Sequence, residues 1–378
     1  MQNHYRYIIQ GAGASGLWLA HSLNEAGLLA FDQLLIVEGE ANKVNDRTWC
    51  FWSTEEEQKF SFIDTRWSSL NIQGERQSIS PYQYCHARSH AFYSWVRESL
   101  AKNSNIHWLN DWVEDVSDVG DGVNVQTKKG LYFADYFFGS GQWKTKVKGD
   151  DITLWQSFVG WRIRLINQTW DAQSATLMDF SIPQSDTTRF LYVLPLSESE
   201  GLVEATQFHA ERLPKEEGEF ILRQICTQRG WDVEIIEVEC DAIPMSPLFN
   251  QNQSHHDSNA RIIEIGIAAG ALKPTTGYGF LTMRNHANQI AQALKTGNVL
   301  PKIYRKRRFR FYDALLLQML QENPHRGKAI FERLFQRQPA QLVLKFLDEK
   351  TSIWEEIRIF SQLQVPWFLK AVIHYAKH

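Results

Sequence analysis

The amino-acid sequence predicts an α/β fold: a Rossmann-like nucleotide-binding domain with an inserted antiparallel, β-rich domain and a helical C-terminal region. Three features predict it: a glycine-rich loop between a strand and a helix near the N-terminus, short alternating strands in the middle, and amphipathic helical segments after residue 300. The chain has 378 residues, 43% hydrophobic and 22% charged. It is long enough for two or three domains, and its composition excludes a disordered or fibrous protein.

The first βαβ unit covers residues 5–38. It reads as an apolar strand, YRYIIQ, then GAGASG, then a helical LWLAHSLNEA, then a second strand, LLIVE. The three glycines allow a tight turn, a close approach of the backbone to a pyrophosphate, and close packing of the helix on the strand. Glu38 ends the second strand, where a carboxylate can bind an adenosine ribose. The predicted dinucleotide loop consists of Gly11, Ala12, Gly13, Ala14, Ser15 and Gly16.

The rest of the chain favours a flavin nucleotide. The segments VEDVSDV, GVNVQT and LYFADYFFG predict a three-stranded meander rather than further βα units. Later, a strand RIIEIGIAAG leads through a second glycine-rich loop into a helix over about 281–294, whose N-terminus can face the negative edge of a reduced flavin. An ordinary turn is the alternative interpretation. The loop residues expected at the cofactor are Gly266, Ala269, Gly270, Thr276, Gly277 and Tyr278.

Cysteine spacing and hydropathy indicate where the protein works. The four cysteines lack any CxxC pair, so we expect no metal site and a reducing, cytoplasmic compartment. No apolar stretch approaches the ~20 residues that span a bilayer, and no signal-peptide pattern precedes the first strand. We therefore expect a protein that is soluble or attached to the surface of a membrane.

Several motifs together resemble the flavin-dependent lycopene cyclases of bacterial carotenoid synthesis. They are the first glycine loop, NDRTWCFW at 45–52, LMDF at 177–180 and PTTGYGF at 274–280, in the order of that family. The resemblance implies the flavoprotein fold of geranylgeranyl reductases and aromatic hydroxylases. One departure concerns the Gly-Asp pair that often contacts the flavin ribityl chain in this fold, because here Ile267 follows Gly266.

The resemblance implies a reaction and its cofactors. A lycopene cyclase closes the acyclic ends of lycopene into β-ionone rings without net redox change. It would hold FAD in its reduced form and use NAD(P)H as a transient reductant. Arg47 of the NDRTWCFW segment is expected to contact the cofactor. An FAD-dependent monooxygenase, a prenyl reductase related to geranylgeranyl reductase, or a non-catalytic prenyl-lipid carrier are the alternatives.

Ring closure needs a proton donor in an apolar setting, and Glu204 is the predicted catalytic acid. Residues 189–208 read as a β-hairpin, and alternation places Leu202, Glu204 and Phe208 on one face of its second strand. Burial there would raise the pKa of the carboxyl group and keep it protonated. Glu204 also matches the family's LxE-x-T pattern. Many family members have a second acid next to it, but Ala205 follows here, so we expect a single carboxyl group. A solvent-facing glutamate is the alternative.

Aromatic strands are expected to supply the walls for lycopene. Aromatic residues make up 13% of the sequence, and flat rings suit a cavity for a large apolar ligand. Rings facing a carbocation can also stabilise it. For each ring, ordinary core packing is the alternative. The predicted substrate contacts are Trp49, Phe51, Trp52, Trp161, Phe190 and Tyr192.

The C-terminal segment, residues 301–378, is basic. Residues 301–378 contain 15 basic and 7 acidic residues, which suits an anionic membrane surface at the inner face of the cell membrane. A solvated helical tail is the alternative, and no nucleic-acid recognition fold is apparent.

We expect a split FAD-binding domain at 1–45, 82–150 and 258–300, a substrate-binding domain at 46–81 and 151–257, and a helical region at 301–378.

Overall fold

A computed structural model describes residues 4–40, 45–54, 59–141, 154–247 and 260–363 of the chain. The strands are β1 (His4–Gln10), β2 (Leu34–Glu38), β3 (Thr48–Ser53), β4 (Ile63–Trp67), β5 (Ser69–Ile72), β6 (Glu75–Ser78), β7 (Gln83–Arg88), β8 (Ile106–Asn110), β9 (Val113–Asp118), β10 (Val123–Thr127), β11 (Gly130–Gly139), β12 (Leu154–Leu165), β13 (Ser174–Asp179), β14 (Thr188–Pro195), β15 (Glu200–His209), β16 (Val233–Met245) and β17 (Ile262–Glu264). The helices are α1 (Ala14–Glu25), α2 (Ser89–Leu100), α3 (Lys215–Gln228), α4 (Phe280–Thr296), α5 (Arg307–Glu322), α6 (Gly327–Arg337), α7 (Ala340–Leu347) and α8 (Ile353–Gln362).

The first sheet is the predicted Rossmann-like sheet. Strands β8, β2, β1, β11 and β17 run parallel in that order, and β10 and β9 extend β11 as an antiparallel meander. Its central strand β1 is buried on both faces. Ile9 contributes to a core with α1 and α4, whereas Ile8 packs on the meander side with Val123 and Val125. A strand covered on both faces is apolar throughout, which explains the continuous run YIIQ.

The second sheet is the inserted β-rich unit. Its strand order is β16-β12-β15-β14-β13-β5-β6, and its pairs are antiparallel except for β13 with β5. The predicted hairpin is confirmed as β14 and β15. Helix α3 covers one face of the sheet, where Val159, Trp161 and Ile163 of β12 pack on Ile221 and Ile225.

A third sheet connects the other two. Strands β3, β7 and β4 form it, all antiparallel. Its aromatic side chains join those of α1, α2 and α4 in one core, in which Trp18 contacts Phe62, Phe92 and Phe280 at ring-centroid distances of 4.9–6.0 Å. Many of the aromatic residues noted in the sequence therefore stabilise the junction between sheet and helices.

Helices α5 to α8 pack on part of the other face of the second sheet. Phe331 of α6 and Leu317 of α5 pack against Phe190 and Phe208 of the hairpin. Part of the basic run is used inside this region. Arg305 pairs with Asp313 and Glu349, and the Arg308 guanidinium lies 3.0 Å from a carboxylate oxygen of Glu356. None of the helices in the described ranges is long and apolar enough to span a membrane.

Candidate active site

The first glycine loop joins β1 to α1 in the geometry expected of a nucleotide cradle. Gly11 has φ of +90°, and its N–H donates to the carbonyl oxygen of Val37 at 2.8 Å. A Cβ atom on Gly16 would lie 1.9 Å from the carbonyl oxygen of Gly11, so no larger residue fits there. The Ala12 N–H donates to the Glu38 carboxylate at 2.7 Å, which places Glu38 at the loop as predicted. Gly13 precedes α1 without a side-chain cap.

The second glycine loop lies directly against the first. Gly266 has φ of +66°, and a Cβ atom there would approach the Ser15 hydroxyl oxygen to 2.5 Å. The loop then turns through Gly270 and Gly277, both with positive φ, into α4, which begins after Gly279 without a side-chain cap. Two uncapped helix N-termini at adjoining loops fit the phosphate and flavin ends of a dinucleotide. Ala269 is buried between the loop's turns.

A cavity of about 1200 Å³ extends from the second loop into the sheets. Arg47, Trp49, Ile267, Thr276 and Gly277 contribute to its lining. It is also lined by Cys50, Tyr84, Tyr192, Glu204 and Glu239. The first glycine loop does not line this cavity and meets it only through the second loop. Its volume exceeds the ~300–1,000 Å³ typical of ligand sites, which suits a large ligand.

Glu204 lies where the hairpin pattern predicted. Its side chain is half-buried and lines the large cavity. The Thr206 hydroxyl donates to its Oε1 atom at 2.6 Å. Burial, followed by the nearby Glu239 carboxylate, raises the pKa of Glu204 to about 8. The group is therefore protonated at neutral pH and can act as a general acid.

The hydroxyl groups of three tyrosines, Tyr84, Tyr192 and Tyr278, lie near Glu204 in the cavity. Tyr278 of the second loop bonds the Tyr84 hydroxyl at 3.0 Å and also bonds Tyr192. Burial raises the pKa of each of these tyrosines, so they remain neutral over the working range of a protein. Burial also raises the pKa of the Cys50 thiol. Tyr278 thus connects the second glycine loop with the surroundings of the acid.

The sequence interpretation missed Glu239. This residue lies on β16, and its Oε2 atom accepts a hydrogen bond from the Thr48 hydroxyl at 3.3 Å. Burial raises its pKa. Among the several glutamates of β16, no local pattern distinguished Glu239. The available signal was Gly160 in the middle of a strand, because a glycine there often marks a close approach.

The six predicted substrate contacts fall into three groups. Trp49 and Tyr192 line the large cavity. Phe51 and Trp52 line a neighbouring cavity of about 330 Å³, and Trp52 contacts the Tyr278 ring at 4.6 Å. Trp161 and Phe190 lie elsewhere.

Alternation on β12 explains the place of Trp161, because Phe158 and Gly160 face the cavity side and Trp161 faces α3. Phe190 lies on the same face as Tyr192 but further along the strand, where it is completely buried beneath α5 and α6. Trp161 and Phe190 therefore belong to the hydrophobic core, which was the alternative interpretation for every ring, and they do not line the cavity.

Arg47 also lines the large cavity. Its guanidinium is 2.6 Å from a carboxylate oxygen of Asp241 on β16 and donates to the carbonyl oxygen of Asp46. Its side chain is about half exposed, so it can still reach a bound ligand. In the part of the chain that the structure describes, no group of three or more His, Cys, Asp or Glu side chains could hold a metal ion.

Comparisons with known proteins agree with this geometry. The family model described as "Lycopene cyclase protein" matches residues 7–372. A lycopene beta-cyclase from Pantoea ananas is 22% identical over 96% of this chain and 95% of its own length. One from Pseudescherichia vulneris is 26% identical over 74% and 72%.

Among solved structures, a geranylgeranyl bacteriochlorophyll reductase-like protein from Thermoplasma acidophilum aligns with a TM-score of 0.61. It is 13% identical and covers 99% of this chain and 100% of its own. That likeness confirms the predicted flavoprotein-type α/β fold. Since the family model covers nearly the whole chain, the protein belongs to the lycopene cyclase family.

Proposed function

We propose that the protein is a lycopene β-cyclase, which closes the acyclic ends of lycopene to give γ- and β-carotene, with reduced FAD in the cavity. The observation that carries the proposal is a protonated Glu204 in a large cavity lined by the second glycine loop, which lies directly against the first. The names of the relatives support the choice of substrate. The chemistry would make the enzyme an intramolecular lyase or isomerase.

The two glycine loops would hold the FAD. The backbone N–H groups at the start of α1 would bind the pyrophosphate, and Glu38 would bind the adenosine ribose. The second loop, from Gly266 to Tyr278, would face the flavin ring, and Arg47 on the cavity wall would contact the cofactor. The group, when bound and reduced, supplies a negative charge that stabilises a nearby carbocation. NAD(P)H would be its transient reductant.

Glu204 would provide the proton that starts ring closure. Its neutral carboxyl group lies among neutral hydroxyl groups, where the low dielectric favours the un-ionised acid. Tyr192 and Trp49 would hold the polyene end beside it and exclude water. Aromatic faces near the developing cation would add a cation–π contribution.

Expression in a bacterium that accumulates lycopene, followed by pigment chromatography, tests the proposal. We expect β-carotene or γ-carotene with the wild-type chain and unchanged lycopene with Glu204→Gln, which keeps the shape but cannot donate the acid proton. Glu198→Gln is the matched control, because Glu198 is exposed in the turn of the same hairpin. Cyclised pigment from the Glu204→Gln variant would remove this residue from the mechanism.

Reductant consumption separates the proposed reaction from the other enzymes considered. A monooxygenase or prenyl reductase consumes one NAD(P)H for each product, whereas ring closure needs only enough to reduce the flavin once. We expect many cyclised molecules per NAD(P)H oxidised under anaerobic conditions. Stoichiometric consumption would instead support a prenyl reductase. A purified protein without a flavin spectrum would support a carrier.

We also propose that the protein is cytoplasmic and binds the inner face of the membrane, where lycopene dissolves. The support is charge and exposed apolar surface. Lys306 and Arg307 are exposed at the start of α5, and at the start of α8 Ile353, Trp354 and Ile357 are 61%, 81% and 51% exposed. Basic residues beside apolar ones suit an anionic membrane surface.

We also propose the division into an FAD-binding, a substrate-binding and a helical domain. Strand β7, from the 82–150 segment assigned to the FAD-binding domain, pairs with β3 and β4 from the 46–81 segment assigned to the substrate-binding domain.

A further inference from the structure

We propose that Glu239 is a positioning residue that shares one proton with Glu204, so that a pair of carboxyl groups controls the acid of this site. The inference rests on the proposed cyclase function but concerns a residue to which that function assigns no role. It starts from strand order. Strand β12 lies between β15 and β16, and Gly160 of β12 is in register with Glu204 on one side and Glu239 on the other.

Gly160 allows the two carboxyl groups to meet. A Cβ atom at this position would lie 2.8 Å from Cγ and 2.9 Å from Oε1 of Glu239. Any other residue would therefore displace the Glu239 side chain from its place beside Glu204. Gly160 has no left-handed backbone conformation that requires glycine. The glycine is therefore needed because it has no side chain, which leaves room for the Glu239 side chain, and not because of its backbone conformation.

Across this space the two carboxyl groups face each other, and each shifts the pKa of the other. Two ionised carboxylates are both acceptors only, so a hydrogen bond between these groups requires a proton on one of them. Each carboxylate has a further hydroxyl donor, from Thr206 to Glu204 and from Thr48 to Glu239. Burial raises the pKa of both groups, and the charge of Glu239 raises that of Glu204 further. Since Glu239 raises the pKa of Glu204 whereas Glu204 lowers that of Glu239, the proposal places the proton on Glu204 and the negative charge on Glu239.

This arrangement balances the chemistry of ring closure. The O–H bond of Glu204 breaks as its proton adds to the terminal double bond of the polyene and forms a carbocation. The next double bond attacks that cation and closes the ring. A C–H bond beside the new cation then breaks, its electron pair forms the ring double bond, and the proton returns to a carboxylate of the pair. The pair begins and ends with one proton, and no oxidant or reductant is consumed.

Other titratable groups surround the pair and enter any pH dependence. His86, which bonds Asp64 at 2.5 Å, lowers the pKa of Glu239, and Glu237 raises it. A cavity of about 20 Å³ beside Glu239, large enough for one water, is also lined by Arg88 and Arg162. On the Glu204 side the facing groups are Cys50, Tyr84, Tyr192 and Tyr278.

Infrared difference spectroscopy on the purified full chain with its cofactor bound tests the pair without relying on activity. The C=O stretch of a protonated carboxyl group should titrate near pH 8 in the wild type and disappear in Glu204→Gln. In Glu239→Gln we expect the midpoint to fall by about one pH unit or more, because a like charge has been removed. Gly160→Ala, which keeps both carboxyl groups but separates them, should lower it in the same direction.

Glu234→Gln is the matched control, because Glu234 is an exposed glutamate on the same strand, paired with Arg164. Its midpoint and activity should equal those of the wild type. The pair is refuted if both Glu239→Gln and Gly160→Ala keep the wild-type midpoint. The alkaline limb of the cyclisation rate should shift with the infrared midpoint. A lowered midpoint in a protein that does not cyclise lycopene refutes only the proposed function, and normal cyclisation without a shift refutes only the pair.

Discussion

Replacing Glu204 with glutamine should make the protein more resistant to unfolding at alkaline pH, even as it abolishes cyclisation. In the folded protein this carboxyl group has a pKa of about 8, against an ordinary value of 4.5. Between these values the folded state holds a proton that the unfolded chain has lost. Stability contributed by the protonated group is therefore complete below pH 4.5 and is lost as pH rises through about 8.

The size of the effect follows from the same two values. At ~1.4 kcal/mol per pH unit, the difference between about 8 and 4.5 corresponds to about 5 kcal/mol of unfolding free energy. We take this as an upper bound, because water in the cavity can solvate the carboxylate. Glutamine does not titrate, so the Glu204→Gln variant escapes this loss and should gain Tm relative to the wild type as pH rises.

Thermal unfolding from pH 5 to pH 9 measures the effect. The Tm difference, variant minus wild type, should increase with pH up to about pH 8 and then level off. For Glu198→Gln, an exposed residue of the same hairpin, the difference should stay flat. A Glu204→Gln difference that is independent of pH, or that decreases as pH rises, would show that this carboxyl group is ionised in the folded protein.

Three further predictions concern the cofactor, the substrate wall and the membrane. Gly266→Ala places a Cβ atom 2.5 Å from the hydroxyl oxygen of Ser15 in the first glycine loop, so this variant should retain less flavin on purification. Gly120→Ala is the control, because Gly120 also has a positive φ, +91°, but no atom lies within 4 Å of the added Cβ; it should retain the flavin. Tyr192→Phe removes a hydroxyl from the cavity and should slow cyclisation about five-fold, the equivalent of a ~1 kcal/mol hydrogen bond; Trp161→Phe, on the opposite face, should keep the wild-type rate. Trp354→Ser should weaken co-sedimentation with anionic liposomes by about ten-fold, a loss of ~1.4 kcal/mol, and binding by the wild type that ignores both salt and anionic lipid would contradict membrane attachment.

Local rules explain which predictions about the fold were correct. The first glycine loop, the meander of β9 to β11 and the hairpin of β14 and β15 all depend on residues close in sequence. Alternation along β15 also placed Glu204 on the correct face. The same rule, applied without knowing which face of β12 met the cavity, included Trp161 among the substrate contacts although it packs on α3.

Tertiary packing changed the interpretation of the basic C-terminal segment. Counted along the chain, Arg305 and Arg308 belong to a run of surface charge. In the structure, Arg305 is nearly buried between Asp313 and Glu349, and the pKa of Asp313 is lowered by the cations beside it. The exposed surface of this region includes the basic Lys306 and Arg307 and, at the start of α8, the apolar Ile353, Trp354 and Ile357. A charge count cannot distinguish a buried ion pair from a solvated one, because the partners are distant in sequence.

The amino-acid order alone indicated the first glycine loop and the cavity-facing position of Glu204, since glycine conformations and strand alternation act over a few residues. Its motifs indicated the family. Only the tertiary structure decided what lies beside that acid. Antiparallel pairing brings β15 and β16 to either side of β12, so Glu204 and Glu239 meet above Gly160 although they are far apart along the chain. Strand order and register are set by the packing of whole sheets, and neither can be derived from the residues next to Glu239.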